Sequence, residues 1–376
     1  MKNNLPVVAI ITESLRRDNQ KPLQYFNKVK ILHFYQNAPY GNETKEDLKD
    51  AIRFTDDKDL YQKIIQAQPD IIQGAEPYGS RKMFMLCIVA YRIAKKLNIP
   101  LIFPWWENRP AKERFSFAQR IIVNAFAKRY LNLATKVIYI NKGALRNIHA
   151  LGIKDDNKLI PFLWGTWGVD VDEFCPIKES KDITKSPMIL YVGRLVPEKG
   201  IKYLLKSFVK VHKRFPTAQL VIIGTGELTE YIKEFRDKND LKNQIILKGS
   251  IDNKDLPAYY QRATVFVSPA ITTKKWEEQV GMTNVQAMAC GIPVVSTNSG
   301  AIPEYVPNKI AGLLVPEKDS DRLASAIISI LDDERLHDRI AKDARQYAVT
   351  HYDAKKNILL AQDIILNILS HEKKLQ

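Results

Sequence analysis

The stretch WEEQVGMTNVQAMACGIPVVSTNSGAIPEYV, residues 276–306, decides the fold. It sets a carboxylate (Glu278), a glycine turn (Gly281), a short helix and a buried strand in fixed order. Thr283 followed three residues later by Gln286 has the spacing of a capping box, which predicts a helix starting at Thr283. Orphan N–H groups and the positive end of the dipole would then favour phosphate at that terminus, with Glu278 in reach of a hydroxyl. Ala287, Met288, Ala289 and Cys290 are small or pliant enough for close packing. Gly291 suits the C-terminal cap, and Ile292-Pro293-Val294-Val295 opens a strand.

Upstream, MILYVGRLVPEKGIKYLL, residues 188–205, repeats the logic. Met188 to Val192 is an apolar run suited to a buried parallel strand, Gly193 frees a turn, and Pro197 fits a helix start. Arg194 and Lys199 flank that turn. Two cations at the carboxyl end of a strand can neutralise a diphosphate and stabilise charge that grows on it. LVIIGTGEL, residues 220–228, carries only part of the dinucleotide fingerprint and reads as a turn.

These two segments resemble the retaining family 4 glycosyltransferases, whose GT-B fold has two Rossmann-like domains with parallel sheets facing a central cleft. The family signature is a Glu, seven residues, a second Glu and then Ala-Met-Ala-Cys-Gly-x-Pro-Val-Val. Here the first falls on Glu278, and the second position is Gln286, which keeps an acceptor oxygen without the charge. The resemblance implies a nucleotide diphosphate sugar as donor substrate, held by Gly193, Arg194, Lys199, Ser250, Ile251, Glu278, Gly281, Met282, Thr283 and Gln286. Catalysis is expected from Glu278, Arg194, Lys199 and, on the acceptor side, Glu107. No metal and no cofactor is implied. Ser299, Gly300 and Glu304 match a family segment near the donor, and equally suit a strand-to-helix turn.

Across the chain, strand-length apolar runs alternate with helical periodicity, the pattern of an α/β protein. In the N-terminal half the strands are expected at residues 7–11, 29–34, 71–73, 101–103 and 137–140. Residues 1–172 form the expected acceptor domain, 173–187 a linker, 188–352 the donor domain, and 353–376 a helix crossing back to the first domain, as the resemblance implies. The family's glycine-rich loop after the first strand is absent, since Thr12-Glu13-Ser14-Leu15-Arg16-Arg17 stands there. Glu76, and Trp106, Glu107 and Asn108, each follow a strand, where ligands bind. Glu76 or Glu107 would orient an acceptor hydroxyl or take its proton; both residues would equally serve as turn residues, with the tryptophans in the core.

The chain has 376 residues and a formal net charge of +15. That length supports two domains, and no run approaches the roughly 18 apolar residues of a membrane span. The acidic and basic TESLRRD directly after LPVVAII argues against a signal peptide. Cys87, Cys175 and Cys290 are widely spaced, so a soluble protein of the reducing cytoplasm, without a metal cluster, is expected.

Residues 81–154 hold 15 Lys and Arg against Glu107 and Glu113, so +13 of the net charge sits there. Within them, RFSFAQRIIVNAFAKRY, residues 114–130, places Phe115, Ala118, Ile122, Ala125 and Phe126 at helical spacing among basic residues. That helix reads as a core helix with a solvated basic face, while the regional excess would suit an anionic membrane surface and a lipid-linked acceptor. No nucleic-acid motif accompanies it.

The expected activity is therefore transfer of a sugar from a nucleotide diphosphate donor to a saccharide or lipid-linked cell-envelope acceptor. Three alternatives stay open: a metal-dependent GT-A enzyme using Asp170-Val171-Asp172, a GT-B sugar-nucleotide epimerase, and a catalytically silent donor-binding subunit.

Overall fold

The computed structural model describes residues 5–37, 48, 50–78, 80–177 and 186–375. The chain divides into two compact units, residues 1–167 with 354–376, and residues 168–353.

The first unit is built on seven strands, β1 (Val7–Ser14), β2 (Lys30–Asn37), β3 (Ala51–Arg53), β4 (Ile71–Gln73), β5 (Leu101–Trp105), β6 (Lys136–Tyr139) and β7 (Leu159–Pro161). All pair in parallel, in the order β3-β2-β1-β4-β5-β6-β7. Five of these are the expected strands, β4 with its expected ends and the other four with shifted ones. β1 and β2 run on to Ser14 and Asn37, which pair with each other, because ladder bonds carry polar residues past the apolar run. β3 and β7, the three-residue strands at the two edges of the sheet, were not expected: unlike β4, which is buried throughout, each carries only a partly buried stretch.

The helices of this unit are α1 (Arg17–Gln20), α2 (Asp57–Ala67), α3 (Arg81–Leu97), α4 (Ala111–Arg114), α5 (Phe117–Leu133) and α6 (Lys142–Ala150). Alternation along the strands feeds two cores. Ala9, Ile11, Ile72, Leu101 and Phe103 face one cluster. Val8, Ile10, Ile71, Ile102 and Ile138 face the other. Both faces are covered, which is why these strands read as near-continuous apolar runs.

Helix α5 departs from expectation. It buries Val123, Ala127, Tyr130 and Leu131, while Ala118, Ile122 and Ala125 are exposed. The helix is apolar nearly all round, so helical spacing alone fits more than one face.

The second unit holds β8 (Met188–Val192), β9 (Gln219–Ile223), β10 (Ile245–Gly249), β11 (Val265–Ser268), β12 (Val294–Thr297) and β13 (Gly312–Val315). They form a parallel sheet in the order β10-β9-β8-β11-β12-β13. Its helices are α7 (Ile201–Arg214), α8 (Thr229–Lys238), α9 (Leu256–Arg262), α10 (Met282–Ala289), α11 (Ile302–Tyr305), α12 (Ser320–Asp332) and α13 (Glu334–His351). Strand residues Ile189, Leu220, Ile222, Val265 and Val267 pack with Leu204, Phe208, Leu323 and Ile327 from α7 and α12. Of the expected linker, residues 178–185 lie outside the described residues. Residues 168–177 belong to the second unit, where the Arg345 guanidinium donates to the carbonyls of Val171 (3.1 Å), Phe174 (3.0 Å) and Ala289 (2.7 Å).

The last helix, α14 (Ala354–Leu375), rejoins the first unit. Ala354, Ile358, Ala361, Ile365 and Ile368 bury themselves with Trp164 and Trp167. The Asn357 amide donates to the Trp167 carbonyl (2.8 Å), and the Gln362 side-chain oxygen accepts from the amides of Asn27 (2.9 Å) and Lys28 (2.6 Å).

Candidate active site

In the second unit, the loops after β8, β9, β10, β11 and β12 share the carboxyl edge of one parallel sheet, the edge that binds ligands in open α/β sheets. Every expected donor residue lies on one of these loops or on the helix α10 that follows β11.

Two glycines set the β8 loop. At Gly224 a Cβ would lie 1.9 Å from the Gly193 carbonyl oxygen, and at Gly200, with φ of +72°, 1.7 Å from that of Pro269. No side chain fits at either place. Leu195 is further tied by its amide to the Thr225 carbonyl (2.9 Å) and by its carbonyl to the Leu228 amide (2.9 Å). The Gly224-Thr225-Gly226 turn therefore buttresses the Gly193–Leu195 loop, a job its partial motif did not reveal. The buried Tyr191 hydroxyl donates to the Arg194 carbonyl (2.8 Å), and burial pushes that phenol well above its ordinary range.

Pro197 opens a 3-10 turn, Pro197–Lys199, that leads into α7 and aims Lys199 across the edge. Its ammonium lies 2.6 Å from a Glu278 carboxylate oxygen and 4.4 Å from the centre of the Trp276 ring. Arg194 is largely exposed, with Glu198 at 3.5 Å. Lys199 and Glu278 thus meet at one edge, and the ion pair that joins them, across 79 positions, carried no sequence signal.

Glu278 is held from behind. Its carbonyl accepts from the Ala301 amide (2.9 Å), and a Cβ on Gly300 would lie 2.1 Å from that same oxygen. The Ser299-Gly300 turn after β12 is therefore part of the support for the carboxylate. Glu304 lies in α11 beyond it.

The capping box does not form. Gly281, with φ of +75°, is itself the N-cap of α10, and no side chain caps the helix. A left-handed glycine turns the chain into the helix two residues before Thr283, so Thr283 sits inside the first turn. Gln286 points elsewhere as well: its side-chain oxygen accepts from the Tyr260 hydroxyl (3.0 Å), which is also 3.3 Å from the Thr283 carbonyl. Met282 opens the helix, uncapped as anion binding requires. Asn284, fully buried beside this turn, has both side-chain polar atoms without a partner. Ser250 and Ile251 follow β10 at the edge of the sheet, just past Gly249.

In the first unit, the two acceptor-side segments are knitted together. Glu76, after β4, accepts from the amides of Trp106 (2.8 Å) and Glu107 (2.7 Å) through one oxygen. Burial raises its carboxyl to about 7, against the lowering effect of those two bonds. The Glu107 carboxylate is buried between Arg109 (3.3 Å) and Arg114 (2.9 Å). Strand β5 runs two residues further than expected, so Trp105 lies in the core and Trp106 starts the loop. The Trp106 indole donates to the Trp164 carbonyl (3.1 Å), and the Asn108 carbonyl accepts from Arg146 (2.9 Å). Asn147 from α6 closes the loop by donating to the carbonyls of Glu107 and Arg109, each at 2.9 Å.

The Asp170 carboxylate accepts from the amides of Asp172 and Glu173, both at 3.1 Å, and so closes a local turn. No cluster of three or more His, Cys, Asp or Glu suited to a metal occurs among the described residues.

Comparison with known proteins finds likenesses to this geometry. Residues 176–347 match the model described as glycosyl transferases group 1. A GDP-mannose-dependent alpha-(1-6)-phosphatidylinositol monomannoside mannosyltransferase of Mycolicibacterium smegmatis is 28% identical over 194 residues, 49% of this chain and 51% of that protein. The sulfoquinovosyl transferase SQD2 of Arabidopsis thaliana is 26% identical over 76% of this chain and 54% of its own. The chain thus spans about half the length of these curated relatives. The crystal structure of Anabaena HepE in complex with UDP superposes with a TM-score of 0.74, covering 96% of this chain and all of that one at 17% identity. The two parallel-sheet units have the GT-B fold, and residues 176–347 of the second resemble the glycosyl transferases group 1.

Proposed function

We propose that this protein is a retaining, metal-independent glycosyltransferase that moves a sugar, most simply a hexose, from a nucleotide diphosphate sugar to a saccharide or lipid-linked cell-envelope acceptor. The observation that carries the reading is the Lys199–Glu278 pair, 2.6 Å apart at the carboxyl edge beside exposed Arg194 and the uncapped start of α10. A diphosphate entering there competes with Glu278 for the Lys199 ammonium. Glu278 is then released to accept from a sugar hydroxyl, while Lys199, Arg194 and the helix N-terminus take up the negative charge that grows on the leaving diphosphate. These groups supply the positive charge for which other glycosyltransferases use a divalent ion. The acceptor attacks on the leaving-group face, so the anomeric configuration is kept. Glu76 and Glu107, with Trp106 and Asn108, form the acceptor side of the proposal, Glu107 taking the acceptor proton. A relative named for a phosphatidylinositol monomannoside acceptor supports this substrate class, and the proposal puts the reaction in the cytoplasm.

A thermal-shift screen against UDP-, GDP- and ADP-sugars, followed by NMR of the product anomer with and without EDTA, tests the proposal. A product of inverted configuration, or activity lost in EDTA, would overturn its mechanism. A second reading, a donor-binding subunit without transfer, is favoured by one observation: the Gln286 oxygen is turned toward Tyr260. Donor binding with no turnover on an acceptor panel would select it.

A further inference from the structure

Helix α5 presents an apolar outer face that the fold does not use. Phe117, Ile121 and Ile122 are 71%, 56% and 67% exposed. Phe117 and Ile121 stand one turn apart, and Ala118, Ile122 and Ala125 form the neighbouring row. The opposite side is locked: Val123, Ala127, Tyr130 and Leu131 are buried in the core, and the Phe126 ring stacks on Phe84 of α3 with centroids 4.3 Å apart. The helix therefore cannot roll to hide its outer row. Its start is fixed too, by a capping box between Ser116 and Gln119.

Basic groups surround that row. The Arg120 guanidinium lies 5.4 Å from the centre of the Phe117 ring, and Lys128 and Arg129 are exposed further along the same helix. They belong to the segment, residues 81–154, that holds +13 of the net charge. A contiguous apolar row among cations is the composition of a helix that lies in a bilayer interface, apolar residues down and basic stems reaching headgroups. A second copy of this chain would bring the same positive surface against itself, which disfavours self-association. A polyanion such as RNA would satisfy the charge but leave the aliphatic row wet. Among the described residues no helix is long and apolar enough to cross a membrane, so contact would be at the surface.

We propose that α5 docks the protein on an anionic phospholipid surface, with Phe117, Ile121 and Ile122 inserted below the headgroups and Arg120, Lys128 and Arg129 paired with lipid phosphates. The inference lends purpose to the lipid-linked acceptor proposed above, but it stands on this face alone.

Co-sedimentation of the full chain with phosphatidylcholine vesicles, with and without phosphatidylglycerol, tests it without any glycosyl transfer. Binding is expected only with phosphatidylglycerol. The triple variant Phe117→Ser, Ile121→Ser, Ile122→Ser should lower the partition coefficient at least about tenfold, given the apolar area it withdraws. Reversal of Arg120, Lys128 and Arg129 to Glu should abolish binding, as should high salt in large part. All six side chains lie outside the donor unit, so unchanged nucleotide affinity and circular dichroism confirm folding in either variant. The single change Ile122→Ser gives a milder check. Absence of binding to both vesicles overturns the proposal, as does undiminished binding of the serine triple. So do a dimer that dissolves in that variant and RNA binding without vesicle binding.

Discussion

Lys199 and Glu278 neutralise each other, so each removal has two effects: it deletes a proposed donor contact and strands its partner. Arg194→Ala and Lys199→Ala are each expected to lower turnover more than about 100-fold, on the order of 3 kcal/mol of electrostatic stabilisation. Near-normal rates in both would remove the proposed donor site. Arg194, largely exposed, should leave the melting temperature unchanged, whereas Lys199→Ala and Glu278→Ala should be non-additive in a double-mutant cycle by about 1 kcal/mol or more. Gln286 offers a different test. With its oxygen engaged by Tyr260, the amide has only N–H groups left to donate, while a glutamate would add charge to any hydroxyl it reaches. Gln286→Glu should therefore tighten nucleotide diphosphate binding about fivefold in calorimetry, by the difference between a neutral and a charged hydrogen bond. An unchanged affinity would mean that the donor does not reach this residue. The sequence made the type and rough position of these groups legible, because a strand end and a following helix constrain where a side chain can go. It did not show the Tyr260 contact or the Gly281 cap. Both depend on backbone torsion and on residues brought together from elsewhere in the chain.

Among the elements, the strands facing two cores were readable from their apolar runs, and the three-residue edges β3 and β7 were not. Helix α5 shows why periodicity fails on an apolar cylinder: the rows 118–122–125 and 123–127–130 have the same spacing, and only packing against α3 chooses between them. The loops after β4 and β5 were legible as ligand-edge candidates, but Glu76 holds the β5 loop by the Trp106 and Glu107 amides, and the Glu107 carboxylate is engaged by Arg109 and Arg114. Glu76 is the element's titrating group, with Glu107 and Arg114 beside it. Folded Glu76 keeps its proton to about pH 7, while the unfolded chain releases it near pH 4.5. Its contribution to stability is present below pH 4.5 and falls as pH rises to 7, by on the order of 3 kcal/mol. Buried His33, lowered to about 4 and bonded to Thr12 (2.8 Å) and Gln20 (2.6 Å), acts oppositely. The unfolded His33 gains a proton below pH 6.5 that the folded one refuses, so stability is lost as pH falls from 6.5 to 4. Glu76→Gln preserves an acceptor for both amides and should leave the His33 slope exposed: melting temperature rising from pH 4 to 6.5, then flat. Identical pH profiles for wild type and variant would show that Glu76 titrates normally.

At the scale of the molecule, the two units differ in what they carry. The family match lies in the second, and the charge excess and the apolar face of α5 lie in the first. Four of the five tryptophans (Trp105, Trp106, Trp164 and Trp167) also belong to the first unit, so tryptophan fluorescence reports mainly on it. Ile365→Ala, in the part of α14 buried against Trp164 and Trp167, should cost that unit about 2 to 4 kcal/mol in denaturant unfolding followed by fluorescence. Nucleotide affinity, proposed for the second unit, should not change; a matching loss of affinity would mean that the units unfold as one. The return of α14 also has a temporal meaning. Residues 168–353 are complete when the ribosome has reached Asp353, but the first unit waits for residues 354–376 before its second core can close. The second unit, although later in sequence, can thus mature first. A nascent or truncated chain ending there would carry a finished second unit beside a sheet whose tryptophan-lined face is still bare, an invitation to chaperones and to aggregation.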